Sequence, residues 1–239
     1  MRQRMVVLDV TQMRGNKVCV GGYLTDGEPI RPICFPFGPD ASWLEPAPGV
    51  VISPFSVVDL HVGGKPEDLQ APHTEDRLVP PRGHRVVETL PAADCREWLE
   101  WRQAPGVAEI FGATVRRAED QEWGRFVQRG EGARSLGTVR AAQVLSVLCG
   151  HDAQSGKRDY RMQFQDGLGA VYRLAVVDRA FRARVDAVMD AAGASAAGQR
   201  IGAELRGQEV WLRIGLARGW AQFPDRCYLQ ITGVYGLPR

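Results

Sequence analysis

From residue 135 onward, apolar and polar residues keep a two-residue beat that is broken by one helical stretch. Residues 135–149 (SLGTVRAAQVLSVLC) are rich in Val and Leu and predict a long, bent strand. The polar residues 150–157 predict a loop. In residues 158–165, Tyr160, Met162 and Phe164 share one face, with Arg161 and Gln163 on the other. Asp166-Gly167-Leu168-Gly169 is a hairpin turn, since Asp and Gly tolerate positive φ. Residues 170–177 return as a strand, with Tyr172, Leu174 and Val176 opposed to Arg173 and Ala175. Asp178 is placed to cap a helix carrying Phe181, Val185, Val188 and Met189 at helical spacing, and Gly193 to end it. The Ala/Gly-rich residues 194–207 continue as a second helical turn. Alternation resumes over 208–216, where Val210, Leu212, Ile214 and Leu216 oppose Trp211 and Arg213. A ten-residue loop, 217–226, leads to a last strand over 227–235.

Three strands, a helix and two strands is the order of the OB-fold, a five-stranded Greek-key barrel. Its ligand face is made by strands 2 and 3 and two flanking loops. Another small β-barrel, or an α+β sheet with the same count, fits the pattern as well. The first half opens in the same style, with strands over 4–10 and 17–24 around a polar turn at 11–16. Asp26-Gly27 then turns the chain into a strand ending at Ile33. Residues 36–54 are rich in Pro and Gly and irregular, 56–62 form a short strand, and 69–81 form a Pro-interrupted loop. Residues 91–103 predict a helix, with Pro91 at its first position and Cys95, Trp98 and Leu99 on one face. The highly charged 116–134 is either an exposed helix or a connector. The expected fold is therefore mainly β: two OB-like five-stranded barrels in tandem, residues 1–90 and 135–239, joined by a helical and charged connector, 91–134.

The chain's 239 residues, 44% hydrophobic and 24% charged, are enough for two globular domains of about 100 residues each. No run approaches the ~18 apolar residues of a membrane span. The apolar Met5-Val6-Val7-Leu8 is cut by Asp9 and is too short for a signal-peptide core, so a cytoplasmic protein is expected. Cys19, Cys34, Cys95, Cys149 and Cys227 are scattered and form no C-x-x-C pair, which points to reduced thiols rather than a zinc ribbon or disulfide framework. Net charge is more telling when split. Residues 1–120 hold 13 Lys and Arg against 17 Asp and Glu, a net −4; residues 121–239 hold 17 against 11, a net +6. A basic half suits a polyanionic partner, although solvated faces also cluster charge.

Three short motifs stand in the first half: Cys19-Val20-Gly21-Gly22, Gly27-Glu28-Pro29-Ile30-Arg31-Pro32 and Pro72-His73-Thr74-Glu75-Asp76. In them the chain resembles the prokaryotic dual OB domain-containing proteins. It carries Gly21-Gly22 where an Ala-Gly pair is expected. The resemblance implies two tandem OB-like barrels, a nucleic-acid-binding role and no assigned catalysis.

The loop 217–226 mixes Arg218 and Arg226 with Trp220 and Phe223 at the position where OB proteins grip ligands. Bases stack on aromatic rings and guanidinium groups hold phosphates; the alternative is that both rings fold back as a lid. Arg161, Arg173 and Arg213 project outward if the alternation holds, and Lys157 and Arg158 flank them in the approach loop. These are either a phosphate-binding strip or ordinary solvated arginines. Arg31 binds phosphate in the first barrel or pairs with Asp59 or Glu28. His73, Glu75 and Asp76, with His61 and His84 nearby, are ligand types for zinc or manganese but lack ligand spacing, and the alternative is a locally pinned loop. Cys149 beside His151 raises a nucleophile–base pairing, against which stands its place at a strand end. No phosphate-binding G-x-x-x-x-G-K-[ST] or G-x-S-x-G elbow occurs.

These residues point to a non-enzymatic protein that needs no cofactor or metal. Single-stranded DNA or RNA is the expected ligand, with Arg31, Lys157, Arg158, Arg161, Arg173, Arg213, Arg218 and Arg226 on phosphates and Trp220 and Phe223 on bases. The alternatives are an adaptor bound to a protein partner in a larger complex, of a defence or mobile-element system, and a metal-dependent nuclease.

Overall fold

In the computed structural model, which describes residues 1–13, 15–34, 38–152 and 156–239, the N-terminal apolar run forms β1 (Arg2–Gln12). A bulge between Val7 and Asp9 bends it, so Met5, Val7 and Val10 enter the first barrel's core while Val6 and Leu8 face an outer layer. β1 pairs antiparallel with β2 (Val18–Leu24) and β4 (Ser56–His61), and β2 pairs with β3 (Pro29–Ile33). β5 (Asp76–Leu78) joins β3 in parallel, and β6 (Arg85–Thr89) joins β4 antiparallel. Leu78 also exchanges backbone hydrogen bonds with Gly63 and Gly64 just beyond β4, at 2.8 and 2.9 Å. The fifth strand of the barrel is thus split, one piece against β3 and the other against β4.

Neither piece shows in the periodicity. Asp76-Arg77-Leu78 is short and polar, so 69–81 reads as a loop, and β6 lies half-exposed at an edge. Within the irregular stretch, a 3₁₀ turn (Ala41–Leu44) capped by Asp40 buries Trp43 and Leu44 in the first core. Residues 35–37 of that region and Arg14 in the turn before β2 lie outside the described residues.

α1 (Ala92–Trp101) follows, with Pro91 as its N-cap rather than its first turn. It wedges between the barrels: Trp98 packs beside Val6, Leu8 and Tyr23, and Leu99 packs with Trp211 and Tyr235. β7 (Gln103–Ala104) runs parallel to β10 (Leu136–His151). The charged stretch 116–134 holds no helix; it contains β8 (Arg116–Arg117) and β9 (Arg125–Gln128), a hairpin along the second barrel's edge. Val107, Ile110, Phe111 and Val127 pack into that barrel's core.

The second barrel continues with β11 (Arg158–Asp166), β12 (Val171–Val176), α2 (Arg179–Ala192), α3 (Ala194–Arg206), β13 (Glu209–Leu216) and β14 (Arg226–Leu237). β10 pairs with β11 and β13, β11 with β12, and β13 with β14; the parallel pairing of Ala175–Val176 on β12 with Gln230–Ile231 on β14 closes the ring. This is the OB order, and the fold is mainly β. Asp178 caps α2 by accepting from the N–H groups of Ala180 (2.9 Å) and Phe181 (3.2 Å). Gly193 ends α2 at φ 84°, and α3 is a full helix of 13 residues where the composition gives only a turn.

The barrels meet along the outer faces of β1–β2 and β13–β14. Arg213 sits in that seam, 1% exposed, and donates to Asp9 of β1 through Nη2 (2.7 Å) and Nε (3.1 Å) and to Thr138 Oγ1 (2.9 Å). Burial works against its charge, yet Asp9 offsets this and holds the guanidinium above its ordinary range. Thr232 donates to Asp9 as well, and the Tyr235 hydroxyl donates to the Leu8 carbonyl. Gly21 faces the same seam, where an added Cβ would lie 2.8 Å from Leu136 Cδ1, and at Gly22 it would overlap the Val6 carbonyl. Alternation therefore turns Arg213 away from its own core, but toward the other barrel and not toward solvent.

Replacing Arg213 by Met strands a buried carboxylate and is expected to cost about 3–5 kcal/mol in urea denaturation. Adding Asp9→Asn should recover a large part of that. A loss under about 1 kcal/mol for Arg213→Met alone would contradict this account of the seam.

Candidate functional site

In β11, Tyr160, Met162 and Phe164 fill the core, which leaves Asp159, Arg161, Gln163 and Gln165 on the outer side. The register sets Gln163 opposite Arg173 and Arg161 opposite Ala175, so Arg161 and Arg173 are diagonal neighbours on one face. Both border a shallow pocket of about 190 Å³, together with Leu148, His151 and Asp159. Arg161 Nε donates to Asp159 at 2.7 Å. The Nε of Arg173 is buried without a hydrogen-bond partner among the described residues, and its guanidinium stands 6.0 Å from the Trp123 ring.

Trp123 belongs to the turn of the β8–β9 hairpin, and Phe126 of β9 pairs with Tyr228 near the start of β14. There the loop 217–225 adds its own rings. Trp220 lies 5.0 Å from Tyr228 and 5.7 Å from Phe223 between ring centroids, and Arg226 stands 4.5 Å over Phe223 and 5.2 Å over Phe126. These rings form a satellite cluster outside the barrel core, and Trp220 stays 42% exposed. Trp220 packs on Tyr228 while the remainder of the indole meets solvent.

Several basic residues are already engaged. Arg226 bonds Asp120 (2.7 Å) and the Tyr228 hydroxyl (3.0 Å). Arg158 shares the inward parity of Tyr160 and pairs with Asp186 (2.7 Å) and Asp190 (2.5 Å) of α2, away from the outer face. Lys157 is exposed ahead of β11, and residues 153–155 of the approach loop lie outside the described residues. Arg213 and Arg31 are corrections to the sequence reading: both are buried in ion pairs and offer nothing to a surface ligand. Arg31 pairs neither with Asp59, which binds Arg2 and Arg85, nor with Glu28, which binds Arg77; its partner is Asp76, at 2.6 Å.

The Pro72–Asp76 motif reaches across the seam. Asp76 also pairs with the half-exposed Arg218, just beyond β13. Glu75 accepts from the N–H groups of Ser135 (2.5 Å) and Leu136 (2.9 Å) and from the Ser135 hydroxyl (3.1 Å). His73 Nε2 donates to the Leu216 carbonyl at 3.1 Å, and Thr74 to the Ala133 carbonyl at 2.6 Å. With each side chain committed to a different partner, the loop is pinned, and no metal-binding group of three His, Cys, Asp or Glu occurs among the described residues. Cys149 donates to the Ala194 carbonyl at 3.0 Å, and burial pushes its thiol above the ordinary range, away from nucleophile chemistry.

All three short motifs of the first half lie in or beside this seam between the two barrels. A family model described as the dual OB-containing domain matches residues 3–234. The chain belongs to that family. No curated protein matches it. Among the described residues of this dual OB chain, no helix is long and apolar enough to cross a membrane.

Sequence reasoning missed Trp123, Phe126 and Tyr228. The signal was present in Trp123-Gly124-Arg125-Phe126, which mixes Arg with aromatics as the 217–226 loop does, but it was hidden inside a charged segment.

Burial, with Arg31 and Arg218 nearby, lowers the His73 pKa to about 3. The folded chain keeps this ring neutral while the unfolded chain protonates it below pH ~6.5, so its contribution to stability is lost as pH falls from 6.5 toward 3, by up to about 1.4 kcal/mol per pH unit. Gln in its place can still donate to Leu216. His73→Gln is therefore expected to gain roughly 2 kcal/mol on wild type between pH 7 and pH 5 in denaturant titrations. Parallel pH–stability curves would rule out a buried neutral His73.

Proposed function

We propose that this dual OB chain is a non-catalytic protein that binds single-stranded DNA or RNA on the outer face of its second barrel. The observation that carries the reading is the exposed Trp220 on its Tyr228 platform, beside Arg226, with Trp123 of the adjoining β8–β9 hairpin standing over Arg173. Stacking on such rings tolerates any base, and guanidinium groups beside them neutralise the backbone. The site has few cations to spare, because Arg161, Arg218 and Arg226 each hold a carboxylate. Affinity would therefore rest on stacking more than on charge.

A second reading, a module that binds a protein partner in a larger complex, has one observation in its favour. Leu145 and Leu148 are exposed beside a groove of about 300 Å³ between α3 and the far half of β10. Stable co-purification with a protein, and no affinity for oligonucleotides, would favour it.

Trp220→Ala removes a ring that lies outside the barrel core, so the thermal midpoint should hold within a few degrees. Single-strand affinity, read by fluorescence anisotropy at low salt, is expected to fall by about 1–3 kcal/mol. A variant that melts early yet binds as before would assign Trp220 to the fold instead.

A further inference from the structure

The two barrels share a topology but not an open face. In the first barrel the outward positions of strands 2 and 3 are Cys19, Gly21, Tyr23, Pro29, Arg31 and Ile33; Gly21, Tyr23 and Arg31 are buried and the other three only partly open. Gly21 abuts Leu136, Tyr23 lies under the guanidinium groups of Arg102 (5.5 Å) and Arg213 (5.4 Å), and Arg31 is held by Asp76. Its loop between strands 4 and 5, residues 62–75, is the counterpart of 217–225. That loop is tied to Leu216, Ala133 and Ser135 through His73, Thr74 and Glu75. The outer face of strands 2 and 3 and the end of the strand 4–5 loop, surfaces with which an OB barrel takes a ligand, are thus used in the first barrel to hold the second.

The second barrel keeps both. Its β11–β12 face carries the pocket between Arg161 and Arg173, and its 217–225 loop carries Trp220. Arg161 is neutralised by Asp159, whereas Arg173 forms no ion pair among the described residues, so the pocket suits one singly charged phosphodiester better than a doubly charged terminal phosphate.

We infer that the chain binds one single strand, on the second barrel alone, with a backbone phosphate seated at Arg173, while the first barrel acts as a scaffold that takes no strand. This rests on the single-strand reading above. An OB barrel covers ~4–16 nucleotides, so the discriminating experiment is anisotropy on labelled oligothymidylates from about 5 to about 40 nucleotides, with stoichiometry measured on the short ones. Affinity is expected to level off within one barrel's length at one strand per chain. Arg173→Gln should weaken binding about fivefold and reduce the log–log salt slope by roughly 0.7, the share of one phosphate on a single strand. Two strands per chain, affinity still climbing toward two barrel lengths, or an unchanged salt slope would each overturn the inference alone. No binding at any length in low salt would remove the nucleic-acid function itself, and this inference with it.

Discussion

The Arg213–Asp9 pair is the constraint on which the rest of the structure depends. Both groups are buried between the barrels, and their remaining hydrogen-bonding capacity is met by Thr138, Thr232 and Tyr23. Such a pair adds little net stability over a well-packed apolar substitute, but neither partner tolerates the loss of the other. It therefore works as a register pin. The barrels can approach this closely only because Gly21 carries no side chain, and Leu136 occupies the space that results; Gly22 does the same within the first barrel, where β2 passes the Val6 carbonyl.

A second polar seam lies beside the first. Asp76 joins Arg31 of the first barrel to Arg218 of the second, and Glu75 caps the start of β10. Two seams, with α1 wedged alongside, fix the relative orientation of the barrels and cover the outer face of β2. The three short motifs of the first half are accordingly joint residues. They hold the tandem together, and the outer face left open lies elsewhere, on β11, β12 and the 217–225 loop.

Local alternation made the second barrel legible: 158–165, 170–177 and 208–216 each place their apolar residues in the core as their period demands. Period alone gives a face but not its neighbour, and Arg213 shows the difference. Its parity excludes the core, yet only the tertiary arrangement shows that the other side is a second barrel. The first barrel's split last strand was illegible for a related reason. Asp76 lies in a strand because Arg31 awaits it across a parallel ladder, a pairing that no local pattern encodes. In the charged 116–134 segment, the apolar Val127 and aromatic Phe126 were outnumbered, and the hairpin that supplies half of the aromatic platform stayed hidden.

Hydrogen exchange on the full chain, with and without a short oligothymidylate, tests the central claim most directly: one barrel holds and the other binds. Added strand should slow exchange in β11, β12 and residues 217–228, leaving β2, β3 and residues 72–75 unchanged, since these are already held in the seam. Protection appearing in β2 and β3, or spread evenly over both barrels, would contradict it.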